Sequence, residues 1–289
     1  MSALSEAGGK GMRFRPEVKA AFSDSSVLGF ALAPAPAEIS REIDKFCSFC
    51  WHMPDNDLST RGNAHVFCNR FPEYKKKKNW SPKTSSNINP TLLSKLANLQ
   101  GLSETDVEDR VVFYVYAILS SPYFLNIFSA KLHSLAGQWP AIPIVEDKLL
   151  FDDIVSIGKR LAELEKTGYQ FSEDEIRQLS SFDWGERINS FEVKGYEIEE
   201  DYIKFTSSDN RVIVYNAPSY VLNFSVSGYS IVREWLKYHS YAYYRKEITL
   251  LELEEFTNLI KRIILYIGEY SNLDKFVTEA LSSKLIDLE

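Results

Sequence analysis

The segment from Ser103 to Pro122 constrains this chain more than any other, because both its ends and its period are written in its residues. Ser103 with Asp106 three positions on supplies a helix N-cap and an acidic first turn. Val107, Val111, Tyr114 and Ile118 recur at steps of four, three and four, which puts them on one helix face. Ser120 and Ser121 lead into Pro122, which has no N–H to continue the ladder and stops the helix. A second helix is predicted over Tyr123–Leu135. Trp139–Pro140–Ala141–Ile142–Pro143–Ile144 must be extended, since proline holds the residue before it away from helical geometry. Phe151, Ile154, Val155, Ile157, Gly158, Leu161, Ala162 and Leu164 restore the helical period, with Gly168 expected as the cap.

On either side of this helical part the period changes. Short β-like runs, Val27–Leu32, Lys45–His52 and His65–Phe71, are separated by Pro34, Pro36, Pro54 and Asp55–Asn56–Asp57. Glu73–Pro90 is polar, basic and punctuated by Pro82, Asn87, Asn89 and Pro90, and reads as an exposed connection. Phe191–Phe224 alternates again and predicts an antiparallel meander, with Ser207–Asn210 as a turn. Helix returns over Ile231–Tyr238 and Leu250–Leu273, the latter with a broad apolar stripe. Strands segregated from helices, without βαβ alternation, define an α+β fold closed by a C-terminal helical hairpin. Residues 1–12, with Gly8, Gly9 and Gly11, are expected to be a disordered leader or a truncation scar. Residues 13–289 then form one domain, with a β-rich part and basic loop (13–103), a helical part (104–190), a meander (191–230) and closing helices (231–289).

With 289 residues, 45% hydrophobic, the chain has ample material for a core. It contains no run of about 18 apolar residues and no apolar stretch near Met1, so the expected compartment is the cytoplasm, with no membrane partner. Cys47, Cys50 and Cys68 are too few and too clustered for a disulfide framework. The net charge of −7 is unevenly spread. Arg61–Thr84 carries seven basic residues against Glu73 alone, and Glu173–Lys204 carries ten acidic against four basic. A lysine block such as Lys75–Lys78 is either a solvated loop or a contact for a polyanion.

The common catalytic signatures fail. There is no glycine-rich nucleotide loop, no HExxH and no GxSxG, and Asn87–Ile88–Asn89–Pro90–Thr91 lacks the second proline and the aromatic of an NPPY-type methyltransferase loop. Cys47-x2-Cys50-x14-His65-x2-Cys68 has zinc-ligand types and spacing. Phe46, Phe49, Trp51, Val66 and Phe67 make both knuckles read as strands, so buried thiols are expected and no metal. His52, His133 and His239 are scattered without acidic partners nearby and are not read as catalytic.

Three stretches, however, resemble the C-terminal specificity region of Type ISP restriction-modification enzymes and related single-chain adenine DNA methyltransferases. The first is Asn89–Pro90–Thr91–Leu92–Leu93 with Val112–Tyr123, similar to the family's helix ending in YxYAxLxSPxY. The second is Pro140–Ile144 running into Phe151, Gly158, Leu161, Ala162 and Leu164, similar to RIPxxxxxxxFxxLxxxGxxLAxLH. The third is Val226–Tyr229, Trp235–Lys237 and Ile248–Thr249, similar to GGYxxxxxWLxxRxxxxLT. Together they cover about residues 27–275 in the family's order. Ala141 stands where arginine is usual, Glu165 where histidine is common, and Lys237–Ser240 replaces a lysine-aspartate-arginine turn.

The resemblance implies target recognition on double-stranded DNA without catalysis by this chain, in an enzyme whose methyltransferase and helicase or nuclease domains lie upstream or on a separate subunit. In that setting Arg70, Lys75, Lys76, Lys77, Lys78 and Lys83, interleaved with Tyr74 and Trp80, become DNA-contact candidates, as do Arg245 and Lys246. A protein-protein docking module of a phage-defence complex is the alternative. No cofactor is expected, and calorimetric titration with S-adenosylmethionine should be flat; micromolar binding would contradict the reading.

Overall fold

A computed structural model describes residues 16–32, 45–52, 65–75, 79–134, 141–166, 168–184, 191–226 and 228–288. After a short helix α1 (Pro16–Ala21) come three four-residue strands, β1 (Gly29–Leu32), β2 (Cys47–Cys50) and β3 (His65–Cys68). They form an antiparallel sheet with β1 in the middle, where Gly29 faces Cys50 on one side and Cys68 on the other. All four residues of β1 are buried, which is why this strand reads as a continuous apolar run.

Strands β4 (Arg70–Lys75) and β5 (Asn79–Ser86) form an antiparallel ribbon, registered from Arg70↔Ser86 to Lys75↔Asn79 with a bulge between Pro72 and Tyr74. A ribbon thus replaces much of the irregular connection expected over Glu73–Pro90. Lys83, Ser85 and Ser86 are exposed, so at this end of β5 burial imposes no apolar alternation that the sequence could show. Helix α2 (Pro90–Gln100) was likewise not expected, although its punctuation is present. Asn89 Oδ1 accepts from Thr91 N at 2.8 Å, Pro90 takes the first turn, and Gly101 closes the helix at φ 68°.

Helices α3 (Glu104–Ser120), α4 (Pro122–Ser134) and α5 (Lys148–Leu164) follow. Ser103 caps α3 by accepting from Asp106 N at 3.2 Å, and Asp147 caps α5 by accepting from Leu150 N at 2.9 Å. Between α4 and α5, Ala141–Ile144 is not helical, and Val145 bridges antiparallel to Leu285. Trp139 and Pro140 lie outside the described residues. Gly168, expected to cap α5, is instead three residues beyond its C-cap Glu165 and takes φ 73° in the following turn.

Beyond α6 (Glu173–Gln178), whose Ser172–Glu175 capping box is complete, strands β6 (Val193–Ile198), β7 (Tyr202–Ser207) and β8 (Val212–Asn216) make the antiparallel meander. Ile203, Phe205 and Tyr215 point into the core. A turn of helix, α7 (Ser219–Leu222), and the two-residue pair β9 (Ser225–Val226) and β10 (Tyr229–Ser230) lead to α8 (Ile231–His239), α9 (Tyr241–Tyr244), α10 (Leu250–Gly268) and α11 (Tyr270–Ser282). The helix read as Leu250–Leu273 is therefore two helices broken at Glu269. The break is hidden in the sequence because the apolar positions continue through it, Leu253 to Tyr266 in α10 and Leu273, Val277 and Ala280 in α11. Small antiparallel sheets set apart from helices, with a closing helix pair, make the fold α+β.

Helix α3 lies at the centre of the main core, buried on most of its circumference; Tyr114, Tyr116, Ala117 and Ile118 have no exposed surface. It packs directly on α5, and Gly158 makes the contact possible. A Cβ there would lie 2.0 Å from the Phe113 carbonyl oxygen, which is backbone and cannot turn aside. Gly158→Ala should cost about 3 kcal/mol or more in urea unfolding, through forced separation of the helices. Gly195→Ala, where nothing lies within 4 Å, should stay within about 1 kcal/mol of wild type. Equal effects would contradict the close crossing.

Candidate nucleic-acid interface

Two cationic features stand on separate parts of the fold. The first is the β4–β5 ribbon. Arg70 Nε donates to Glu108 Oε2 at 2.7 Å, and neighbouring Asn69 Nδ2 donates to Asp109 Oδ1 at 2.8 Å, so the base of the ribbon is fastened to the first turns of α3. Arg70 is thereby paired with a nearly buried carboxylate and serves as an anchor. Burial raises the Asp109 carboxyl above its ordinary value, against the hydrogen bond from Asn69. Lys75 lies at the other end of β4, about 17 Å along an extended strand, paired with Asn79. Lys76, Lys77 and Lys78 lie outside the described residues, and Lys83 is exposed on β5.

The second is a tyrosine-rich corner where α8 passes through α9 into α10. Tyr238, Tyr241, Tyr243 and Tyr244 are 37–55% exposed. Their rings pack edge to face, Tyr238 with Tyr243 at 5.0 Å and Tyr243 with Tyr244 at 5.1 Å. Arg245 ends α9 at φ 61°, a left-handed conformation that costs a non-glycine residue roughly 1–2 kcal/mol. Lys237 is held by Glu234 at 3.1 Å and Lys246 by Glu252 at 2.5 Å. Among the described residues Arg245 has no such ion pair, so it is the unpaired cation of this corner.

Cys47, Cys50 and Cys68 are buried free thiols in the first sheet. Cys47 donates to Leu119 O at 3.6 Å; burial pushes its thiol up to about 11, and those of Cys50 and Cys68 up to about 12. Among the described residues no three His, Cys, Asp or Glu side chains converge as metal ligands. No single described helix is long and apolar enough to cross a membrane.

Sequence reasoning missed a buried charge cluster. Lys45, only 2% exposed, donates to Tyr116 OH at 2.9 Å and to Glu165, and sits 4.3 Å from the centre of the Tyr266 ring. Glu165 also accepts from Tyr116 OH and from Phe49 N at 2.9 Å. Burial first, then the charge of Glu165, raises the Tyr116 and Tyr266 hydroxyls well above their ordinary values, so both stay protonated donors. Lys45 and Glu165 are 120 positions apart, and no local pattern links them. The one signal was Glu165 itself, a carboxylate at a position where a packed helix end demands a partner.

The family model for the Type ISP C-terminal specificity domain matches residues 32–257, and the chain belongs to that family. No curated protein matches it. Among solved structures the chain is similar to the ATP-dependent Type ISP restriction-modification enzyme LlaBIII bound to DNA, at 16% identity and a TM-score of 0.47. That alignment covers 87% of this chain and 16% of the other, so the chain spans a small part of that enzyme's length.

Lys246 also completes the cap of α10. Burial opposes ionisation of Glu252, but hydrogen bonds from Lys246 and from Thr249 outweigh it and lower the carboxyl from 4.5 to about 2. A depressed carboxyl contributes stability that is complete above 4.5 and lost as pH falls towards 2. Glu252→Gln should therefore cost roughly 1–3 kcal/mol at neutral pH and nearly nothing at pH about 2. A pH-independent difference in urea midpoint would contradict this.

Proposed function

We propose that this chain is the part of a Type ISP-like restriction-modification system that recognises a double-stranded DNA target, without catalysis of its own. The family match over residues 32–257 carries the reading. The ribbon of Arg70, Lys75 and Lys83 with its Lys76–Lys78 connection supports it, because a chain of net charge −7 needs a local positive surface to approach a polyanion. Residues 13–289 act as one recognition unit, and methyltransferase and helicase or nuclease domains, on the same polypeptide or a separate subunit, supply the chemistry.

Lys75, Lys76, Lys77, Lys78 and Lys83 set the register on phosphates, and Arg70 holds their ribbon on α3. Arg245 and the surrounding tyrosines are the second contact, with Lys246 shaping the corner as well as lending charge. The alternative, docking to another protein of a defence complex, separates on salt dependence. Duplex affinity measured by fluorescence anisotropy should fall steeply with salt. Replacing Lys75–Lys78 by alanine should reduce the log–log slope by roughly 0.9 for each lysine that touches phosphate, with little change in sequence preference. Unchanged affinity and slope would remove the ribbon from the interface, and absence of any salt-dependent duplex binding by the wild type would favour the docking alternative.

A further inference from the structure

A pocket of about 210 Å³ opens between the end of α5, β2, the β9 segment and α10. Most of its wall is apolar, from Leu164, Phe224, Ile231, Leu259 and Ile263. Three charged side chains also line it, Lys45, Glu165 and Arg262. Lys45 and Glu165 neutralise each other in the cluster described above, which leaves Arg262 as a surplus positive charge. Its guanidinium has five N–H donors. Among the described residues two hydrogen bonds engage them, Nη1 to Lys166 O at 3.2 Å and Nε to Asn258 O at 3.4 Å, both to backbone carbonyls. Among the described residues no carboxylate forms an ion pair with it. Burial pulls its pKa below the ordinary arginine value, and Glu165 acts in the opposite direction. Arginine nevertheless stays charged, so the site holds a partly desolvated cation beside apolar surface.

We propose that this pocket binds a small organic monocarboxylate, with its carboxylate on Arg262 and its hydrocarbon body against Leu164, Phe224, Ile231, Leu259 and Ile263. An apolar cavity of about 150 Å³ suffices for a benzene ring, so a six-carbon chain or a single ring is the right scale. The planar guanidinium fork selects a carboxylate over an alcohol of the same shape, because charge-assisted hydrogen bonds are about twice as strong as neutral ones. With Glu165 neutralised by Lys45, Arg262 supplies a single net positive charge, so a second carboxylate would enter an apolar pocket without a partner, which limits the class to monoanions. This site is independent of DNA recognition.

The test is NMR titration of the isotope-labelled chain with hexanoate, benzoate, 1-hexanol and adipate, following the Arg262 Nε–H signal and the methyl groups of Ile231, Leu259 and Ile263. Hexanoate or benzoate should shift these signals together and saturably, and raise the melting temperature. The alcohol and the dianion should bind at least about tenfold more weakly. In Arg262→Met, which keeps the apolar stem, preference for hexanoate over 1-hexanol should disappear. Absence of saturable shifts in the wild-type chain, equal affinity for hexanoate and 1-hexanol, or undiminished carboxylate preference in folded Arg262→Met would overturn the proposal. Should Arg262→Met fail to fold, the wild-type comparison of carboxylate, alcohol and dianion decides alone.

Discussion

The close crossing of α3 and α5 at Gly158 is the constraint on which the other contacts depend. With no side chain between Gly158 and the Phe113 carbonyl, the two helices approach nearer than any other residue would allow. Glu165 lies seven positions beyond Gly158, two helical turns along the same face, and so arrives against Tyr116 of α3. There it meets Lys45, which leads into β2, and through Tyr116 OH it is linked to Tyr266 of α10 at 3.0 Å. One backbone contact thus places a carboxylate where the first sheet, the central helices and the closing helices meet.

That junction is polar inside an apolar core. A buried ion pair seldom adds net stability over well-packed hydrophobic residues, whereas removing one partner leaves a desolvated charge that costs about 3–5 kcal/mol. Lys45, Glu165, Tyr116 and Phe49 N satisfy one another, and the Phe49 ring stacks on Phe113 and meets Tyr116 edge to face, both at 5.2 Å. The cluster fixes which surfaces meet, and the surplus cation Arg262 stands at its rim.

What was legible in the sequence followed burial. Helix α3 is bounded by Ser103 and Pro122 because its capping hydrogen bond and its terminating proline are local, and the meander is visible because Ile203 and Phe205 alternate with half-buried residues and Tyr215 with exposed ones. The β4–β5 ribbon reads as a loop because the exposed Lys83, Ser85 and Ser86 give that end of β5 no apolar period. The α10–α11 break was missed because the stripe runs through Glu269. At the candidate interface, the sequence located the basic residues without their pairings. Arg70 binds Glu108 and Lys246 binds Glu252, both through contacts that no spacing rule gives, while Arg245 owes its setting to a left-handed turn.

The chain belongs to the specificity-domain family, and the function proposed for it is the reading of a duplex sequence. The most direct measurement is selection of duplexes from a random library by the purified chain at physiological ionic strength, followed by sequencing of the retained pool. A single motif should emerge, bound roughly 10³-fold or more tighter than unrelated duplex, the lower end of the range for specific recognition. Retention of duplexes without any enriched motif, or no retention at all, would contradict the account.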